Sequence, residues 1–138
     1  MRIEYIAGLV DSEGCIGIIK RPSKHALDPY LHINICHEDV LKQVQNTLGT
    51  GRLYKESRQS KGGLDCYMYS CNSRSDLLKV LPLLLPHLIV KKQLAEIVYE
   101  YCLNHVVGSS NTDEEYLLWI AQNELQHKHN HSTKISSG

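Results

Sequence analysis

The sequence predicts an α+β domain: one four-stranded antiparallel sheet with helices packed on a single face. Three observations carry this expectation. The chain has 138 residues, 42% of them apolar, enough to bury one core without a stapled framework. Four strand-like runs fall in hairpin-like pairs, "CIGIIKR" with "YLHINIC" and "GRLYKES" with "LDCYMYSC". Helical periodicity precedes, separates and follows these pairs.

Element by element, the order is α-β-β-α-β-β-α-α-α. From Arg2 to about Asp11, residues Ile3, Ile6, Ala7 and Val10 recur at helical spacing, and Gly14 supplies a stop. After "CIGIIKR", Pro22 and Pro29 bracket a loop. The next strand alternates, with Leu31, Ile33 and Ile35 on one face and Tyr30, His32 and Asn34 on the other. "HEDVLKQVQNTLGTG" is an amphipathic helix that opens on Glu38 and Asp39 and closes at Gly49. In the following hairpin Leu53 points inward, while Arg52, Tyr54, Glu56 and Arg58 share the opposite face. The returning strand, Leu64 to Cys71, is apolar on both parities and its faces stay unassigned. A short helix follows, capped by Ser73 or Ser75 and ended by Pro82 and Pro86. "KKQLAEIVYEYCLNHV" and "TDEEYLLWIAQNELQHK" complete the helices, the latter with a Thr112–Glu115 capping box. The expected domain is residues 1–127, with a core over 1–105, a last helix over 112–127 and a flexible polar tail over 128–138.

The composition narrows the function. No run reaches the ~18 apolar residues of a membrane span, and no secretory leader is expected at the N-terminus. Five cysteines without framework spacing (15, 36, 66, 71, 102) point to reduced thiols inside a cell, most of them small core residues. The net charge of zero hides an asymmetry. Residues 1–92 hold 13 Lys/Arg against 9 Asp/Glu (+4), and residues 93–138 hold 2 against 6 (−4). The basic part suits a polyanion. Cys36-His37 and Cys66 with Cys71 lack the paired spacing of a zinc site, and the His127/His129/His131 run reads as a polar end. The sheet face opposite the core would carry Lys20, His32, Asn34, Arg52, Tyr54 and Arg58, a mix that suits water and also suits bases and phosphates.

The stretch "IAGLVDSEG", Ile6 to Gly14, concentrates the chemistry. Ala7 and Gly8 leave a flat strip on which a second helix can approach at backbone distance. Gly8 costs up to ~1 kcal/mol of helix propensity relative to Ala, so an offsetting contact is expected. The chain holds no second copy of this stretch, so the natural partner is the same helix of another protomer. Asp11 and Glu13 add charge to a helix end that is already negative. Carboxylates crowded there need a shared proton or a cation, and oxygen ligands suit Mg²⁺. The same residues also read as a local cap, Asp11, and a solvated turn residue, Glu13.

This stretch closely resembles the LAGLIDADG motif of the homing endonucleases named after it, with Ser12 for alanine and Glu13 for the more usual aspartate. The resemblance extends over roughly residues 3–105, through the α-β-β-α-β-β-α order, "LGTG" (Leu48 to Gly51) and "PHLIVKKQLAEIV" (Pro86 to Val98). A single motif in a short chain resembles the homodimeric members. The resemblance implies a site-specific double-strand DNA endonuclease that requires Mg²⁺, with Mn²⁺ or Ca²⁺ able to substitute for binding. Its target would be long and palindromic or nearly so. Glu13 would bind metal together with the Ser12 carbonyl, Lys91 would be the active-site lysine (Lys92 in a shifted register), and His37 would organise solvent. Ile6, Ala7, Gly8, Val10 and Asp11 would form the dimer interface. DNA would be met by Lys20, Arg21, Lys24, Tyr30, His32, Asn34, Arg52, Tyr54, Glu56, Arg58, Met68 and Ser70. The alternative is a non-cleaving nucleic-acid binder of the same fold, an intron RNA maturase or a DNA-binding regulator. Neither reading involves a membrane, and both place the protein inside a cell.

Overall fold

The computed structural model describes residues 1–21, 26–59, 62–105 and 111–137. Its elements are α1 (Ile3–Glu13), β1 (Gly14–Lys20), β2 (Leu27–Ile35), α2 (Glu38–Leu48), β3 (Arg52–Gln59), β4 (Asp65–Cys71), α3 (Arg74–Leu84), a 3₁₀ turn (Leu85–His87), α4 (Lys92–Asn104) and α5 (Asp113–Ser137). The order is the one the sequence predicts. Strands run β1-β2-β4-β3 and every neighbouring pair is antiparallel. Helices fill one face of the sheet, where Ile16, Ile18, Leu31, Ile33, Tyr69 and Cys71 are buried against apolar residues of α1 to α4.

Several boundaries differ from expectation for physical reasons. Pro82 lies inside α3, which continues to Leu84; it gives up one helix hydrogen bond while Leu81 and Leu84 around it are fully buried. Ser73, not Ser75, is the cap, its hydroxyl accepting from the Asp76 N–H at 3.1 Å. Gly49 closes α2 in left-handed backbone (φ 75°) as expected. Gly14 does not work that way: its backbone is extended, and it is glycine because a Cβ there would lie 2.8 Å from the Val10 backbone. Of the five cysteines only Cys71 and Cys102 are buried.

The last helix runs past the expected end at 127 through Ser137 and lies along the outer edge of β1. An edge strand leaves a row of unpaired peptide groups. Here two glutamines supply the missing strand. Gln122, 1% exposed, accepts from the Ile18 N–H at 3.0 Å and donates to the Ile18 carbonyl at 3.1 Å, as a peptide would. Gln126 donates to the Ile16 carbonyl at 2.8 Å. Gly17 between them has no room for a Cβ, which would meet Gln126 Nε2 at 2.1 Å.

Candidate functional site

The end of α1 gathers the charged groups that the motif singles out. Asp11 turns its carboxylate back onto the segment before α4: Oδ2 accepts from the Ile89 N–H at 2.8 Å and Oδ1 from the Lys91 N–H at 3.0 Å. In return Lys91 Nζ donates to the Asp11 carbonyl at 2.7 Å. The lysine is thereby fixed at both its backbone and its ammonium, at the N-cap of α4. Burial lowers the pKa of this ammonium from 10.5, while charge on Cys15, Asp11 and Glu13 pulls it back up. Glu13, the last residue of α1, is exposed and makes no hydrogen bond or ion pair among the described residues. Lys92, the alternative to Lys91, is exposed as well. His37 is exposed just past β2, whose Ile33 pairs with Gly14, so it lies at the same end of the sheet as Glu13.

The outer side of α1 is more open than its sequence implied. Ile6, Ala7 and Val10 are fully buried in the chain's own core, so they do not form the contact assigned to them, and Asp11 is taken up by the α4 segment. The reason is helical phase: the core takes the Ile6, Ala7 and Val10 stripe, leaving Tyr5, Gly8, Leu9 and Ser12 on the outside. Tyr5 is 55% exposed, and an added Cβ at Gly8 would meet nothing within 4 Å. The Ser12 hydroxyl folds back onto the Gly8 carbonyl at 2.8 Å, which keeps the strip flat. Ile89 and Val90, at 83% and 55% exposure, extend an apolar surface beside it.

The open face of the sheet carries most of the expected contact residues. Register places Cys15, His32, Ser70 and Arg52 in one row across four strands, and Asn34, Met68 and Tyr54 in the next. Tyr30 stands on the same face, and Glu56 follows Tyr54 on β3. Two hollows of about 460 Å³ each flank Tyr54 and Asn72, one towards Arg21, Tyr30 and His32, the other towards Arg52, Ser70 and Asp76. Arg21 is ion-paired to Asp28. Lys20 is not on this face. It shares the parity of the buried Ile16 and Ile18, and its ammonium sits over the rings of Trp119 (5.2 Å) and Tyr116 (5.8 Å) in α5. Lys24 and the Arg58 side chain lie outside the described residues.

Sequence comparison adds a decisive observation: the family model described as LAGLIDADG endonuclease matches residues 6–100. The chain belongs to the LAGLIDADG endonuclease family. Its fold agrees with solved members. The homing endonuclease I-CvuI, in complex with the I-CreI target in the presence of Mg, superposes with a TM-score of 0.72 at 22% identity, covering 89% of this chain and 80% of that one. The archaeal intron-encoded homing endonuclease I-Vdi141I, complexed with DNA, gives 0.75 at 21% identity over 89% and 82%. The meganuclease I-AabMI, bound to uncleaved DNA, gives 0.70 at 15% over 88% of this chain and 43% of that one. No curated protein sequence matches significantly.

Within this LAGLIDADG chain the donor set at the end of α1 fits a hard dication only in part. Glu13 supplies one free carboxylate and Ser12 one backbone carbonyl, both oxygen donors of the kind Mg²⁺ takes. Among the described residues no group of three or more His, Cys, Asp or Glu side chains converges, so one chain does not enclose an ion. Sequence reasoning missed two contributors. Nothing in the spacing tied Asp11 to residues 89–91, a pairing across more than half of the chain. Asn72 continues the parity of Met68 and Ser70, a signal that was legible had the faces of β4 been assigned.

Proposed function

We propose that the protein acts as a homodimeric, Mg²⁺-dependent endonuclease that cuts both strands of duplex DNA at a palindromic or nearly palindromic site. One observation carries the reading: a solvent-facing carboxylate with no hydrogen bond or ion pair among the described residues, Glu13, stands at the end of a helix whose outer face is notched at Gly8, beside a lysine tethered 2.7 Å from the Asp11 carbonyl. Packing two such helices across a two-fold axis brings two Glu13 carboxylates together and completes the oxygen site that a single chain leaves half built. Glu13 and the Ser12 carbonyl would hold Mg²⁺ there, which supplies positive charge to activate a water and to stabilise the leaving 3′ oxygen.

The chain's own residues do the rest. Lys91 offsets negative charge as it builds on the attacked phosphate, and it needs no search for position because Asp11 fixes it before substrate arrives. His37, able to donate and accept, orders water at the same end of the sheet. Each open sheet face lies in a major groove on its own side, so a symmetric protein asks for a symmetric target.

The test is Glu13→Gln against a randomised palindromic duplex library with Mg²⁺. Wild type should yield double-strand breaks at a recoverable consensus; the variant should lose cutting by about 10³-fold or more while still retaining duplex in a gel shift. Wild type that binds duplex and never breaks it would leave a DNA-binding regulator in place of a nuclease.

A further inference from the structure

We infer that Cys36 and Cys66 are a dithiol that closes to a disulfide on reaction with a small-molecule disulfide, and that closure slows cutting by shifting His37; the second half rests on the nuclease reading above. The sheet register sets up the pair. The last matched residues of β2 and β4 are Ile35 and Tyr67, so the next step places Cys36 opposite Cys66. Their sulfurs are 3.9 Å apart, and both residues are half-buried thiols. Directly opposed residues of an antiparallel pair have Cα atoms ~4.5–5.5 Å apart, inside the ~4.4–6.8 Å that a disulfide spans. Only the sulfurs need to approach, by about 2 Å.

A ladder in mid-sheet would resist that approach, but this one has slack on both sides. β2 stops at Ile35, leaving Cys36 in the bend before α2, and β3 leaves register between Lys55 and Gln59, across from Cys66. The pair also follows Asn34 and Met68 on the open face, where a small solute reaches it. The other cysteines are placed differently. Cys71 and Cys102 are buried, which pushes their thiols up to about 11 and about 12 and away from the reactive thiolate. Cys15 is exposed but faces His32, four residues along β2 from Cys36. Among the described residues no group of three His, Cys, Asp or Glu side chains converges, so a thiophilic metal has no ligand set here.

The exchange balances with oxidised glutathione as the oxidant. One cysteine loses its proton, and the thiolate attacks a sulfur of the glutathione disulfide. That S–S bond breaks, one glutathione leaves as thiolate, and a mixed disulfide stands on the protein. The second cysteine, deprotonated in turn, attacks the protein-side sulfur and releases the other glutathione. The two cysteines have then lost two electrons and two protons, and the oxidant has become two thiols. His37 follows Cys36 directly and is the N-cap of α2. Drawing Cys36 towards β4 therefore displaces the ring proposed to order water.

Two measurements test this. The full chain is incubated with oxidised glutathione, its remaining thiols are alkylated, and an unreduced digest is sequenced by mass spectrometry. A Cys36–Cys66 link within one chain is expected, with fragmentation separating Cys66 from Cys71. Glutathione adducts that persist on Cys36 or Cys66 without a link, or links through Cys15 alone, would overturn the inference. Cutting of duplex by the oxidised wild type should fall about tenfold and return with dithiothreitol. Cys36→Ser and Cys66→Ser should each make cutting indifferent to the oxidant. Slowing that survives in both variants, or a linked wild type that cuts at the reduced rate, would remove the coupling to His37. If the reduced wild type cuts no duplex, the nuclease reading fails and the coupling with it, while the mass spectrum still decides whether the dithiol closes.

Discussion

The two flanks of this domain handle their polar groups in opposite ways. Along the β1 edge every peptide group discussed above finds a partner in α5, and the described residues on either side of the start of that helix are bonded as well. There His105 Nδ1 and Glu115 Oε2 are 2.5 Å apart, Glu115 also accepts from the Thr112 N–H at 2.7 Å, and Asn111 and Tyr101 bind the two sides of the Leu27 peptide. The α1 flank shows an exposed carboxylate, an exposed tyrosine and a glycine with open space above it. A chain that spends one buried and one half-buried glutamine on sealing one side has the means to seal the other. The difference teaches that polar closure is local to the β1 flank, and the open α1 side is the one that the proposed dimer would cover.

Four substitutions break or sharpen that contrast. Gly8→Leu should have the largest effect. An added Cβ meets nothing within 4 Å in its own chain and the position is exposed, so the fold should hold, and helix propensity even improves by up to ~1 kcal/mol. Association should weaken by about 3 kcal/mol, near a hundredfold in the dimer constant, read by sedimentation equilibrium, with cutting lost in parallel. A dimer undisturbed by leucine there would remove α1 from the interface.

Gln122→Leu reverses the pattern. It strands the Ile18 N–H and carbonyl at a buried edge and should cost about 2–3 kcal/mol of stability in urea unfolding, with dimerisation unchanged once corrected for unfolded chain. Asp11→Asn comes next. An amide can accept from only one of the two N–H groups that Asp11 serves, so about 1–2 kcal/mol of positioning is lost, and cutting should slow about tenfold with duplex affinity kept.

The smallest effect is a pH dependence. Burial pushes the Glu115 carboxyl upward, but the Thr112 N–H, the His105 ring and the Thr112 hydroxyl outweigh it and hold its pKa below 4.5. A carboxylate depressed on folding contributes stability that is complete above 4.5 and lost as pH falls through the depressed value. Glu115→Gln should remove about 1 kcal/mol at neutral pH and flatten the acid side of the thermal-midpoint profile. An unchanged acid slope would show that other carboxylates govern it.

Much of the fold was legible because its signals are local. Alternation in Tyr30–Cys36 placed Leu31 and Ile33 inward, and the Thr112–Glu115 box marked the start of α5 in the bonds now seen. The failures share a cause. A stripe of Ile6, Ala7 and Val10 looks the same whether it packs on its own sheet or on a partner helix, and only the finished core decides. Lys20 was assigned by its charge when its parity with Ile16 and Ile18 already placed it on the other side. Gln122 gave no signal at all, since a glutamine on a helix face is ordinarily solvated and its role appears only when a strand edge lies beside it. At the candidate site, Glu13 was singled out through the motif and Lys91 through the Pro86–Val98 segment, whereas the bonds from Asp11 to Ile89 and Lys91 span too many residues for any local pattern to reveal.

The glutamine seal has a consequence for how copies of this protein can meet. Strand-to-strand growth, the route by which sheet proteins polymerise into fibres, is barred along β1, because Gly17 sits under the side chains of Gln122, Gln126 and Tyr30 with no space even for a methyl group. The opposite border, β3, breaks its ladder at Lys55 and presents Arg52 and Lys55 to any incoming strand, a poor template for runaway addition. With both borders guarded, the proposed self-recognition would fall to the helices, as a closed pair and not an endless stack.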